Sequence, residues 1–89
     1  MKEPQALFQP PPPYTEEARK ARIEGFVVLQ AIIRKNGTVD SFKVVKGLGY
    51  GLDDAAISTV ANKWRFSPGT LKGVPVDVIA NIEIHFRDF

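Results

Sequence analysis

The last third of the chain alternates. Val74, Val76, Val78, Ala80, Ile82, Ile84 and Phe86 fall on one side of an extended segment. Pro75, Asp77, Ile79, Asn81, Glu83, His85 and Arg87 fall on the other, and most of them are polar. A period of two predicts a strand with one buried face. Strands usually run about 5–6 residues, so a strand from Val74 to Phe86 is unusually long. A small domain has little backbone with which to cover its whole edge. The spare N–H and C=O groups call for a pairing partner.

Two more strands are predicted at Phe26 to Lys35 and Thr38 to Lys46, joined by Asn36-Gly37. That dipeptide favours a type I′ turn, which needs positive φ at both central positions. A two-residue turn sets Lys35 opposite Thr38, Ala31 opposite Phe42, Gln30 opposite Lys43 and Leu29 opposite Val44. One face then carries Val27, Leu29, Ala31, Ile33, Phe42 and Val44 and is the expected core side. The other carries Gln30, Arg34, Ser41 and Lys43 together with Phe26, Val28, Ile32, Val39 and Val45. This second face is too apolar for an ordinary solvated surface, so it calls for cover from the chain or from a partner.

Helices are expected before and after this hairpin. Thr15 can cap a helix that opens on Glu16 and Glu17, where a hydroxyl and two acids suit the exposed N–H groups. It runs through Ala18 and Ala21 to about Ile23, with Gly25 as its stop. So short a helix needs packing through Tyr14, Ala18 and Ile23. Gly47, Gly49 and Gly51 make a connection to a second helix, capped by Asp53 and running to about Trp64. Leu52, Ala56, Val60 and Trp64 form its inward stripe. The order helix, strand, strand, helix, strand predicts an α+β domain: a three-stranded antiparallel sheet with two helices packed on one face. Residues 1–13, with Pro4 and the run Pro10 to Pro13, read as the end of a proline-rich spacer. Residues 14–89 read as the domain.

Composition narrows the functional classes. The chain has 89 residues, 44% hydrophobic and 25% charged, as in ordinary soluble domains. No apolar run is long enough to cross a bilayer, and direct membrane contact by this domain is not expected. The net charge of +2 is scattered. Its densest part, Arg19, Lys20 and Arg22, lies where cations complement a helix end, so nucleic acid is not an expected partner. Cysteine is absent, which excludes disulfides and thiolate metal sites. His85 is the sole histidine, and with Glu83 it makes too few ligands for a metal. Ser41, Ser58 and Ser67 have no base nearby in sequence. Asp53 and Asp54 read as helix-start residues. Gly47-Leu48-Gly49-Tyr50-Gly51 lacks the lysine of a phosphate loop and leads into two acids. Trp64 and Phe66 read as core. These residues define no catalytic constellation and no cofactor site, so a binding domain is expected rather than an enzyme.

Several stretches, taken in order, carry a resemblance. Tyr14 to Gly25 reads Y-T-E-E-A-R-K-A-R-I-E-G and leads into the alternating strand Phe26 to Ile33. Asn36-Gly37, Leu52-Asp53 with Ala56 and Val60, Trp64-Arg65-Phe66-Ser67-Pro68 and the late strand follow. Together they resemble the C-terminal domain of TonB-family energy transducers, from Tyr14 to Phe86. The resemblance implies a periplasmic domain, carried by a proline-rich spacer from an inner-membrane helix that works with an ExbB–ExbD-like motor. That anchor would lie outside these residues, with Met1 a boundary rather than a native start. It implies that the domain grips the TonB box, a short peptide of an outer-membrane transporter, by strand addition. The expected site is the edge formed by Val76, Asp77, Val78, Ile79, Ala80, Asn81, Ile82, Glu83 and Ile84, with Tyr14 and Gln9 nearby. The chain departs from the family pattern in three places. Thr15 replaces the proline after the tyrosine. Prolines precede Tyr14, leaving Gln9 as the nearest polar side chain. Phe26, Val28 and Ile32 replace charged residues on the outward face of the hairpin, which points to a homodimer or a different partner. The alternative is therefore a structural, self-association module of TonB or TolA-like fold that dimerises through its edge strand.

Overall fold

The computed structural model describes residues 1–87. In chain order it contains β1 (Gln5–Phe8), α1 (Glu16–Ala21), β2 (Gly25–Ile33), β3 (Val39–Lys46), α2 (Leu52–Lys63), β4 (Arg65–Ser67), β5 (Gly69–Leu71), β6 (Val74–Val76) and β7 (Val78–Phe86). The main sheet has the order β3-β2-β7, antiparallel throughout. β2 is its centre because its alternation is the cleanest: Val27, Leu29, Ala31 and Ile33 are all buried. Opposite them on β7 stand Ile84, Ile82, Ala80 and Val78. Ala18 of α1 and Leu52, Ala56 and Val60 of α2 complete the same core. The architecture is the α+β arrangement the pattern predicts, with both helices against one face of the sheet.

Each predicted helix forms, with different end chemistry. Thr15 caps α1, its Oγ1 accepting from the Ala18 amide at 3.2 Å. The stop is Arg22 rather than Gly25. Arg22 takes the left-handed conformation at φ 54°, which lets the Ile23 amide reach back to the Ala18 carbonyl at 2.9 Å. Gly25 instead opens β2. Asp53 does not cap α2; Gly51 holds that place at φ 75°. The Asp53 carboxylate turns back to the glycine-rich connection and accepts from the amides of Leu48 (2.9 Å) and Gly49 (3.4 Å).

The hairpin turn is one residue longer than its dipeptide implies. The Arg34 amide donates to the Thr38 carbonyl, and the Gly37 amide donates to the Arg34 carbonyl. Lys35, Asn36 and Gly37 thus form a three-residue loop with Gly37 left-handed at φ 88°. The expected pairs Leu29–Val44 and Gln30–Lys43 are present all the same. A bulge absorbs the extra residue, with Ser41 at φ 58°. The bulge changes which side chains face inward along β3. Val39, expected on the outer face, is 3% exposed in the core; Val44 keeps its place opposite Leu29 but, on the edge strand β3, is 41% exposed.

The late alternating segment is two strands. It breaks at Asp77, whose carboxylate accepts from the Lys35 amide at 2.8 Å and from Arg34 Nη1 at 3.2 Å. β6 pairs with β5 in a hairpin of its own, and only β7 joins the main sheet. Alternation records side-chain facing and not which strand is paired, so the break leaves no mark in the pattern. The amino-terminal segment also packs more than a spacer would. β1 pairs antiparallel with β4, Gln5 opposite Ser67 and Ala6 opposite Phe66, and Lys2 bridges to Thr70.

Candidate functional site

β7 lies at one edge of the main sheet, paired with β2 on one side and with no second strand beyond it among the described residues. An edge strand presents every other N–H and C=O pair outward, ready to extend the sheet. Of the residues expected to form the site, Val78 to Ile84 lie in β7. Val76 belongs to the β5–β6 hairpin, opposite Gly69. Asp77 lies in the break and is engaged by Arg34 and Lys35. Ile82 and Ile84 point into the core, whereas Ile79, Asn81, Glu83 and His85 lie on the exposed face of the sheet.

A cleft flanks each end of β7, and the amino-terminal segment supplies the facing wall of both. The first, about 620 Å³, is lined by His85, Phe86 and Arg87 on one side and by Pro11, Pro12, Tyr14 and Arg19 on the other. The second, about 430 Å³, is lined by Val78, Ile79, Ala80 and Asn81 with Ile33 and Phe66, and is faced by Met1, Glu3 and Pro4.

Besides the pairing of β1 with β4 and the bridge from Lys2 to Thr70, contacts of Trp64 and Tyr14 hold the wall in place. The Trp64 indole N–H donates to the Pro10 carbonyl at 2.8 Å. The Tyr14 hydroxyl donates to the Ile23 carbonyl. The Tyr14 ring meets Phe86 edge to face, with centroids 6.3 Å apart. Tyr14 therefore stands beside the end of β7. Gln9 is exposed between β1 and the proline run and lines neither cleft.

The charge at the two ends differs. Arg19 and Arg87 give the first cleft a cationic rim, whereas the second is apolar apart from Glu3 and Asn81. Arg34 sits near the second end but is committed, its guanidinium paired with Asp40 at 2.7 Å and Asp77 at 3.2 Å. The Arg34 hydrogen bonds hold the Asp40 carboxyl below its usual range. For Asp77 the largest cause of the same lowering is the Lys35 amide, with Arg34 adding to it. This cluster clips the hairpin turn to the break before β7 and so fixes where the edge strand begins.

Sequence reasoning missed Arg19, Pro11, Pro12, Ile33 and Phe66 as cleft walls. Their roles depend on the amino-terminal segment lying against the domain, and the only local signal was a tryptophan whose N–H would need an acceptor when buried. It also missed the stacking of His85 on Phe26, with centroids 4.4 Å apart and the rings 15° from parallel.

The fold is a small α+β domain whose main sheet has an open strand edge at β7 among the described residues. Comparison with known proteins gives the family. Residues 10–87 match the family model described as Gram-negative bacterial TonB protein C-terminal, and the chain belongs to that family. It is similar to Protein TonB of Escherichia coli (strain K12), 26% identical over 80 residues, covering 89% of this chain and 34% of that protein. It is also similar to Protein TonB of Vibrio cholerae serotype O1 (strain ATCC 39315 / El Tor Inaba N16961), 34% identical over 77 residues, covering 85% of this chain and 31% of that protein. The chain thus spans about a third of the length of these relatives. Among solved structures it is similar to the solution NMR structure of the Pseudomonas aeruginosa TonB CTD, with a TM-score of 0.71 and 25% identity over 99% of this chain and 89% of that one.

Proposed function

We propose that this domain is the periplasmic, partner-gripping end of an energy transducer and is not an enzyme. It binds a TonB box peptide of an outer-membrane transporter by adding it as a fourth strand beside β7. It passes on force from an ExbB–ExbD-like motor that acts through an inner-membrane anchor, with residues 1–13 closing the spacer. The observation that carries this reading is the position of β7: an edge strand of nine residues with, among the described residues, a neighbour on one side only. A peptide paired in register engages several backbone hydrogen bonds together. Each contributes about 0.5–1.5 kcal/mol net, so binding is transient and reversible. Isothermal titration with box peptides from the transporters of the same cell, combined with NMR shift mapping, tests it. The expected result is saturable binding with shifts concentrated on Val78 to Phe86. An absence of heat together with silent β7 amides would sink the proposal.

A second reading is favoured by the outer face of the sheet, where Phe26 is 42% and Ile79 69% exposed. In that reading a second copy covers these side chains and the domain is a self-association module. Sedimentation across a range of concentrations separates the two. A protein that stays monomeric at the highest concentration removes the second reading.

A further inference from the structure

We propose that residues 1–8 are a strap that closes the amino-terminal half of the β7 edge to an added strand and lifts to open it. The inference rests on the strand-addition reading and adds a gate to it.

The amino-terminal segment travels beside β7 in the same direction. Met1, Glu3 and Pro4 face residues 78–81, and Pro11, Pro12 and Tyr14 face residues 85–87. It makes no ladder with β7, whose strand partner among the described residues is β2. The open edge is therefore the floor of a slot. Strap and strand meet at the start of β7. A Cβ placed on Gly69 would stand 2.6 Å from a Val78 methyl and 3.2 Å from both the Lys2 carbonyl oxygen and Pro4 Cδ. Lys2, Pro4 and Val78 thus converge on one glycine, whose missing side chain permits the approach. A strand laid against β7 sits about 4.8 Å from it and runs into residues 2–4 there.

The two halves of this wall are held differently. Beyond Phe8 it is fixed to the body of the domain through Trp64 and Tyr14. Before Phe8 it is held by pairing at the rim. Lys2 and Thr70 each donate an amide to the other's carbonyl at 2.9 Å, and the Gln5 amide donates to Ser67 Oγ at 3.2 Å. All four residues of β1 are exposed, Leu7 at 70% and Phe8 at 59%. The strap therefore buries little apolar surface and lacks the largest stabilising contribution to packing. Segments with exposed hydrogen bonds and few apolar contacts open locally at low cost. Residues 1–8 can lift while residues 10–14 stay in place. An incoming segment then pairs first with residues 82–86 and extends to Val78 as the strap leaves. Its apparent affinity falls in proportion to the fraction of molecules in which the strap is open.

Two variants of the full chain test the gate. Gln5 and Ser67 are directly opposite one another, a placement that sets Cα atoms about 4.5–5.5 Å apart and within disulfide reach. The chain has no cysteine of its own, so in Gln5→Cys with Ser67→Cys oxidation locks the strap and reduction frees it. Lys2→Pro with Gln5→Pro deletes two of the strap's donors and releases it. Each protein is titrated with a labelled box peptide from a transporter of the same cell, followed by anisotropy and by NMR. The oxidised protein is expected to bind about three- to tenfold more weakly than its reduced form, with shifts confined to residues 82–86. The released variant should bind more tightly than the native protein. Equal affinity in the oxidised and reduced forms, or shifts across residues 78–81 while the strap is locked, would overturn the gate and leave strand addition standing. Weaker binding by the released variant would make residues 1–8 part of the grip and overturn it too. No binding in any form, with β7 amides unmoved, would remove strand addition and the gate together.

Discussion

Trp64 and Pro10 are joined by a hydrogen bond of 2.8 Å that spans 54 positions of sequence, from the indole N–H to the proline carbonyl. The indole closes the core at the end of α2 and at the same time fixes the wall of the first cleft. Trp64→Phe keeps an aromatic ring but deletes the donor. The expected loss is about 0.5–1.5 kcal/mol for one hydrogen bond, measured by urea unfolding. Limited proteolysis should show faster cleavage near the proline run. A variant as stable and as protease-resistant as the native protein would contradict this role.

Gly37→Ala should cost about 1–3 kcal/mol, more than a turn substitution usually does. Its φ is 88°, and an added Cβ would meet the Phe66 carbonyl oxygen at 2.4 Å. That oxygen belongs to backbone and cannot rotate away. The Phe66 amide also donates to the Gly37 carbonyl, so the substitution should perturb β4 as well as the turn. Chemical denaturation gives the cost, and shifts at Phe66 in NMR give the route.

Ser41→Val separates two opposing expectations. Strand propensity alone favours valine. The structure puts residue 41 at φ 58°, where a β-branched side chain is strained by about 1–2 kcal/mol. The substitution should therefore destabilise, or force β3 into the register of an unbulged hairpin and turn Val39 outward. A thermal melt decides the sign, and cross-strand NOEs at Ile33 report the register.

The Arg34 cluster predicts a pH dependence. Asp40 and Asp77 have folded-state values below the ordinary 3.8. Groups of that kind contribute stability that is present above the unfolded value and is lost as pH falls through the folded one. The melting-temperature gap between the native protein and Asp77→Asn should be constant from neutral pH to about pH 5. It should then close as the pH falls below 3.8. A gap that persists undiminished in strong acid would exclude the carboxylate as its source.

The central elements were legible because burial and period agree there. β2 has four buried residues at spacing two, and α2 has Leu52, Ala56 and Val60 at spacing four. What was not legible follows from interactions remote in sequence. The bulge at Ser41 arises from the loop chemistry at Gly37 and reverses the facing of Val39. The break at Asp77 depends on the Lys35 amide, 42 positions away. The pairing of Gln5–Phe8 with Arg65–Ser67 involves a strand whose residues are all exposed, so hydrophobic pattern carried no sign of it. For the same reason the walls of the clefts were invisible, although the strand they flank was read from alternation alone.

The attachment of the amino-terminal segment has a mechanical consequence. Tension entering at that end meets the bonds between Lys2 and Thr70 first, then those of Gln5 to Phe8 with β4, and then the link from Trp64 to Pro10. Each contact yields only after the one before it has parted, so the ribbon gives way in small instalments. Up to Tyr14 it behaves as a row of weak fuses, sparing the sheet a sudden jerk.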